Sequence, residues 1–303
     1  MACYRDAGVR LRLVIASVIA IAGVAGCPRG QVFCEDGRFD AALTFRKDGF
    51  VINFDLDNVI PYEDRAFEDC TFVEGLLFGD GEVSDDQFPR LEVLGGMLSN
   101  QFDDVADADE LVPDDLVGFE TVTDLGRVRG LRTVSGFNSV IRANDLQIRV
   151  PKGLRALEEV GEINVTQTEG LVALRKAGNV EVTEGDENIA LPALTEVLGA
   201  LYVGSGGAVV SLPKIRFVGT DFQIAGGSLT SIADLSHQDG VDVGRFMLLQ
   251  FNSGNAEPPL GDEYYQDWVV RNNVRAVGGY SICGNGLISD PDSACANSLS
   301  PSP

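Results

Sequence analysis

Histidine is almost missing from this chain: among 303 residues there is one, His237. A serine or cysteine nucleophile working with an imidazole base would have to use it. No Gly-x-Ser-x-Gly elbow supplies the partner, and Ser236-His237-Gln238-Asp239-Gly240 reads as a loop. Basic residues are scarce as well. Lys plus Arg number 23 against 46 for Asp plus Glu, so the net charge is −23. That shortage argues against nucleic acid or anionic lipid as the main partner, because phosphate recognition is built from Lys and Arg. Acidity of this size serves solubility and colloidal repulsion, or it suits a basic partner or a divalent cation. No Cys-x-x-Cys or paired His offers a zinc set. Gly204-Ser205-Gly206-Gly207 lacks the Lys-Ser/Thr of a phosphate loop and reads as a tight corner.

What is abundant is a repeat. Its frame is apolar, two residues, apolar, two residues, apolar, then Gly or Asn, then alternating apolar positions. Two clear copies are Leu154, Leu157, Val160, Gly161, Ile163, Val165 and Leu171, Leu174, Ala177, Gly178, Val180, Val182. The frame also fits around Gly126, Asn144, Gly199 and Gly219, and the steps along these six anchors are 18, 17, 17, 21 and 20 residues. A period near 20 marks a solenoid, in which each repeat buries its apolar face only against its neighbours. Apolar residues three apart suit a helical or 3-10 turn. The Gly or Asn is expected to reverse the chain, since both tolerate positive φ. The alternation that follows is a short strand with one face buried. Successive strands should stack in parallel, roughly 4.8 Å apart. The expected fold is mainly β: a parallel β-helix of seven or eight coils with short helical or 3-10 segments, capped at both ends.

These residues, with Cys70-Thr71-Phe72-Val73-Glu74-Gly75-Leu76-Leu77, resemble the receptor L domain. That family is the leucine-rich-like right-handed β-helix of insulin- and growth-factor-receptor ectodomains. The resemblance covers roughly residues 70–250. It implies a binding or scaffolding module and brings no catalytic residue with it.

The N-terminus carries a second signature. Arg5, Arg10 and Arg12 precede an apolar run from Leu13 to Val24, which is too short for an ordinary transmembrane helix. The run ends at Val24-Ala25-Gly26-Cys27, which resembles the bacterial lipoprotein signal. The resemblance implies cleavage before Cys27 and lipidation of its thiol. Pro28 in place of Asp resembles the outer-membrane form of that signal. Lipid would then be the sole membrane anchor. Cys34, Cys70, Cys283 and Cys295 remain, and an even number in an exported protein suggests two disulfides. Cys34–Cys70 and Cys283–Cys295 are the expected pairs, each local and each at one end of the solenoid. The division is therefore 1–26 signal, 27–69 tether and β cap, 70–251 solenoid, 252–295 C-terminal cap with aromatics Tyr264, Tyr265 and Trp268, and 296–303 a disordered tail.

Three site readings follow. Strand positions between the buried ones should form two outward columns: Arg127, Asp145, Glu162, Asn179, Ala200, Thr220, and Arg129, Gln147, Asn164, Glu181, Tyr202, Gln223. This polar face is the best candidate for non-catalytic binding of an envelope protein or glycan. An alternative is polysaccharide cleavage, with neighbouring Asp145 and Glu162 as paired carboxylates. A third is a calcium-dependent adhesin using Asp103, Asp104, Asp107 and Asp109 in an acidic insertion. Counted from Asp107, however, that insertion puts Val112 and Gly118 where an EF-hand needs Gly and Glu. A solvated insertion is the favoured reading, and no cofactor is expected.

Overall fold

The computed structural model describes residues 34–46, 48–52, 59–77, 85–98, 115–185, 189–205, 210–226, 232–233, 240–251, 267, 269–283 and 298–299. Strands β1 (Arg38–Arg46), β2 (Gly49–Ile52) and β3 (Val59–Ile60) form an antiparallel meander. A 3-10 turn at Tyr62–Asp64 leads on to β4 (Phe72–Leu77) and β5 (Val93–Leu98). Then come β6 (Asp115–Leu116), β7 (Asp124–Val134), β8 (Arg142–Val150), β9 (Glu159–Val165) and β10 (Lys176–Gly185). Later coils use shorter pieces: β11 (Ile189–Ala190), β12 (Glu196–Val197), β13 (Leu201–Ser205), β14 (Val210–Ser211), β15 (Phe217–Val218) and β16 (Phe222–Gly226). They end with β17 (Ile232–Ala233), β18 (Val241–Val243), β19 (Met247–Phe251), β20 (Val274–Ala276), β21 (Tyr280–Cys283) and β22 (Ser298–Leu299).

The architecture is a parallel β-solenoid. Its main ladder runs β1, β4, β5, β7, β8, β9, β10, β13, β16, β19, β21, each strand parallel to the next. A second strip runs from the first residues of β7, β8, β9 and β10 through β12, β15, β18 and β20. A third, of β11, β14 and β17, lies on another side. The main ladder extends past both ends of the 70–251 span. The β1 strand, assigned by sequence to the cap, is the first rung, and the antiparallel β2–β3 pair covers its outer edge. At the far end β20 and β21 are rungs too, with β22 antiparallel to β21.

The apolar triplets behave as their spacing requires. Phe119/Val122, Phe137/Val140, Leu154/Leu157, Leu171/Leu174, Leu191/Leu194 and Leu212/Ile215 are all buried. In every pair the later amide donates to the earlier carbonyl, at 3.1–3.4 Å. Each return segment is thus one i→i+3 turn, whose two apolar members share the inward face. Phe119 and Phe137 adopt φ of 59° and 62° and stack on each other with centroids 5.3 Å apart. Burial and stacking of the rings offset a left-handed backbone that costs roughly 1–2 kcal/mol per residue.

The anchors require a correction. None of Gly126, Asn144, Gly161, Gly178, Gly199 and Gly219 has positive φ. They sit at the corner between the second strip and the main ladder, and what selects glycine there is the coil below. A Cβ at Gly178 would lie 2.1 Å from the Gly161 carbonyl oxygen, and one at Gly126 would lie 1.6 Å from that of Gly95. Backbones that stack this closely leave no room for a methyl group.

Cys34 and Cys70 form a disulfide with a Cα–Cα distance of 5.5 Å. Cys283 belongs to β21 by its backbone, whereas Cys295 lies outside the described residues, so the second expected pair is not described.

Candidate functional site

The second outward column of the main ladder comes together in the register expected, and the first does so as far as Asn179; beyond it Ala200 and Thr220 lie outside the paired strands, and the Leu201–Phe222 register sets Asp221 rather than Thr220 opposite Ala200. Arg127, Asp145, Glu162 and Asn179 are successive in-register neighbours. So are Arg129, Gln147, Asn164, Glu181, Tyr202 and Gln223. Their inward neighbours Val128, Leu146, Ile163 and Val180 fill the core, so the period-2 pleat turns the polar set outward.

Three side chains, Asp145, Asn164 and Asn179, organise the polar contacts of this face. Asp145, with its side chain only 16% exposed, accepts Arg129 Nη2 at 2.5 Å and Nε at 3.1 Å on one oxygen, which also forms an ion pair with Arg127 Nε at 3.1 Å. Asn164 Nδ2 donates to Glu181 Oε2 at 2.8 Å. Asn179 Oδ1 accepts the Ala200 amide at 2.9 Å, while its Nδ2 reaches Glu162 Oε1 at 3.5 Å. Asn179 thereby bonds the link between β12 and β13. Asp145 and Glu162 are neighbours as expected, but their oxygens already bond two arginines and one asparagine.

Sequence reasoning missed what lies beside Arg127. The first column continues backward through Gly96, with Gly75 opposite Ala42 on the rungs before it. With no side chain at Gly75 and Gly96, the face dips into a hollow of about 490 Å³. Glu74, Leu77, Arg127 and Asp145 stand around it. The signal was present in the Gly75, Gly95 and Gly96 positions, whose lack of side chains the repeat frame left unread.

A second unforeseen column runs along the corner strip. Asp124, Arg142, Glu159, Lys176 and Glu196 are successive in-register neighbours that alternate in sign. Arg142 bonds Asp124 at 2.7 Å, Lys176 approaches Glu196 at 3.7 Å, and farther along Arg275 bonds Asp242 at 2.5 Å. Each exposed pair contributes only about 0–1 kcal/mol. The column as a whole opposes slippage, since a shift of one coil would set like charge on like.

The hydrogen bond from Arg142 holds the Asp124 carboxyl below its ordinary value, and that from Arg275 does the same for Asp242. A depressed folded pKa gives stability that is present above the unfolded pKa, about 3.9, and is lost as pH falls through the folded value. Asp124→Asn is therefore expected to lower the melting temperature at pH 7 and to match the wild type near pH 2. A deficit that persists undiminished at pH 2 would assign the effect to packing.

Cys27, Asp103, Asp104, Asp107, Asp109, His237 and Trp268 lie outside the described residues. Among the described residues no group of three metal-ligating side chains converges, and no helix is long and apolar enough to cross a membrane. In comparisons with family models, curated proteins and solved structures, the chain matches none.

Proposed function

We propose that the chain is a lipid-anchored protein of the bacterial cell envelope whose solenoid serves as a non-catalytic binding or scaffolding module, in the manner of a receptor L domain. The observation that carries the binding half is the polar face: ten predicted residues from Arg127 to Gln223 fall into two continuous columns beside a hollow, over an apolar core. A ladder of donors and acceptors at a spacing of roughly 4.8 Å suits an extended ligand, a glycan chain or a polypeptide strand, better than a small compact one. The anchoring half rests on Val24-Ala25-Gly26-Cys27 closing a charged and apolar leader, and on Pro28 for an outer-membrane address.

Intact mass of protein extracted from membranes tests the anchor. The expected species lacks residues 1–26 and carries acyl chains, and Cys27→Ser abolishes acylation and releases the chain from the membrane fraction. Unacylated wild-type protein in the soluble fraction would overturn this reading. For the face, binding to an array of envelope glycans and proteins is compared between wild type and a Tyr202→Ala, Arg129→Ala double variant. Glycan cleavage by the wild type that disappears in Asp145→Asn would replace binding by catalysis.

A further inference from the structure

The alternating column has one break. Beyond Lys176 the in-register residues are Glu196, Phe217, Asp242 and Arg275. Sign alternates at every step until Phe217, where the pattern calls for a cation and supplies an aromatic ring. Phe217 points outward with its column and is 39% exposed. One coil before it stands Glu196 and one coil after it Asp242, each roughly 5 Å away along the stack. An open aromatic face between two carboxylates is the chemistry that holds an ammonium or guanidinium group: the ring quadrupole attracts the cation and the carboxylates accept its hydrogen bonds. Glu196 and Asp242 each already have one cationic neighbour, Lys176 and Arg275. That does not close the seat, because Asp145 of this same chain forms ion pairs with two guanidinium groups at once.

The seat opens onto a groove of about 620 Å³ lined by Phe217, Asp242, Val270, Val277 and Tyr280. Val270 is 73% exposed and Val277 is 78% exposed. The groove therefore offers apolar contact beside the cation seat. A second copy of this chain is a poor occupant, since each carries a net charge of −23 and long-range repulsion opposes the encounter. The same field draws in a basic partner and speeds its association.

We propose that this groove docks a basic, partly apolar polypeptide segment, with a Lys or Arg of the partner over Phe217 between Glu196 and Asp242 and its apolar neighbours against Val270 and Val277. The inference depends neither on the lipid anchor nor on the flat polar face.

Fluorescence anisotropy with a labelled hexapeptide of alternating Arg and Leu tests it, a Glu and Leu peptide being the control. The wild-type chain is expected to bind the first and ignore the second. Phe217→Lys puts the missing cation in place covalently. It is expected to weaken the basic peptide by about tenfold or more, the loss of one cation seat, with the melting temperature unchanged or raised. Glu68→Gln makes the same charge change on another part of the surface and is expected to leave affinity unaltered. No binding by the wild type, or equal affinities of F217K and wild type, would overturn the proposal. Equal weakening in F217K and E68Q would also overturn it, by showing general attraction to an acidic surface. Should F217K melt early, Phe217→Ala and Val277→Ser carry the test, each at an exposed position and each expected to weaken binding by about threefold; unchanged affinity in both overturns the proposal equally.

Discussion

A Gly178→Ala protein is expected to melt roughly 6–12 °C below the wild type, corresponding to about 3 kcal/mol in a chain of this size. The backbone at Gly178 is not in the left-handed region, so alanine meets no local torsional objection. The obstacle is the next coil: the new Cβ would lie 2.1 Å from the Gly161 oxygen and 3.1 Å from its carbonyl carbon. Those atoms belong to the Glu159–Val165 strand, held by parallel pairing on both sides, with Arg142–Val150 below and Lys176–Gly185 above. They cannot swing aside as the end of a side chain can. The coils must separate locally, and in a stack each coil rests on its neighbours alone. Gly204→Ala is the control. Its nearest contact is the Tyr202 hydroxyl at 3.1 Å, which can move, and a shift within about 2 °C is expected. Equal losses at the two positions would sink the stacking argument and return the corner glycines to a role in chain flexibility.

The same comparison shows what could be read from the sequence. The inward set was legible because burial imposes a period: one inserted residue before Gly199 and one after Gly219 left the apolar frame recognisable. Once that frame was fixed, pleat geometry dictated the outward columns, the second in register to Gln223 and the first to Asn179. The reason for the glycines was not legible. A repeated Gly has two physical explanations, positive φ and close approach, and a one-dimensional pattern cannot separate them. The limits of the solenoid were misplaced for a related reason. Arg38–Arg46 lacks the Gly-anchored frame because it is a terminal rung covered by a hairpin, yet it pairs with Phe72–Leu77 as any other rung does. The alternating charges were legible in principle. Asp124, Arg142, Glu159 and Lys176 all stand two places before an anchor, but the sign of a charge matters only after the coils are stacked.

That stacking separates two kinds of polar surface. Along the corner strip, charges face partners of opposite sign one coil away, so most of the column satisfies itself and serves the register. On the main ladder Gln147 and Tyr202 interrupt the charges, and Asp145 gathers two arginines. A surface that does not satisfy itself by simple alternation has donors and acceptors to offer to a ligand. Phe217 matters for the same reason, since it is the one described member of the corner column from Asp124 to Arg275 that carries no charge.

Removing the Cys34–Cys70 bond in a Cys34→Ala, Cys70→Ala double variant is expected to cost about 4 kcal/mol, the loop-closure value for a ring set by a sequence separation of 36. The bond ties the residue region before β1 to the one before β4, so it clamps the first rung to the second. A terminal rung has one coil beside it where an interior rung has two, and its Phe39, Phe45, Phe50 and Phe67 cluster is shared with the short hairpin on its other edge. Both sulfurs are buried, Cys70 fully, which is why alanine rather than serine keeps the test free of a buried hydroxyl. The loss should be local before it is global. Hydrogen exchange is expected to quicken first at Arg38–Arg46 and Gly49–Ile52, while Arg142–Val150 and Glu159–Val165 keep their protection. A uniform rise along the chain would mean that the solenoid unfolds as one cooperative body, with the bond acting on the whole rather than on its end. A double variant indistinguishable from wild type would mean that the two thiols are not joined in the protein under test, and the first rung would then be held by its aromatic cluster and hairpin alone.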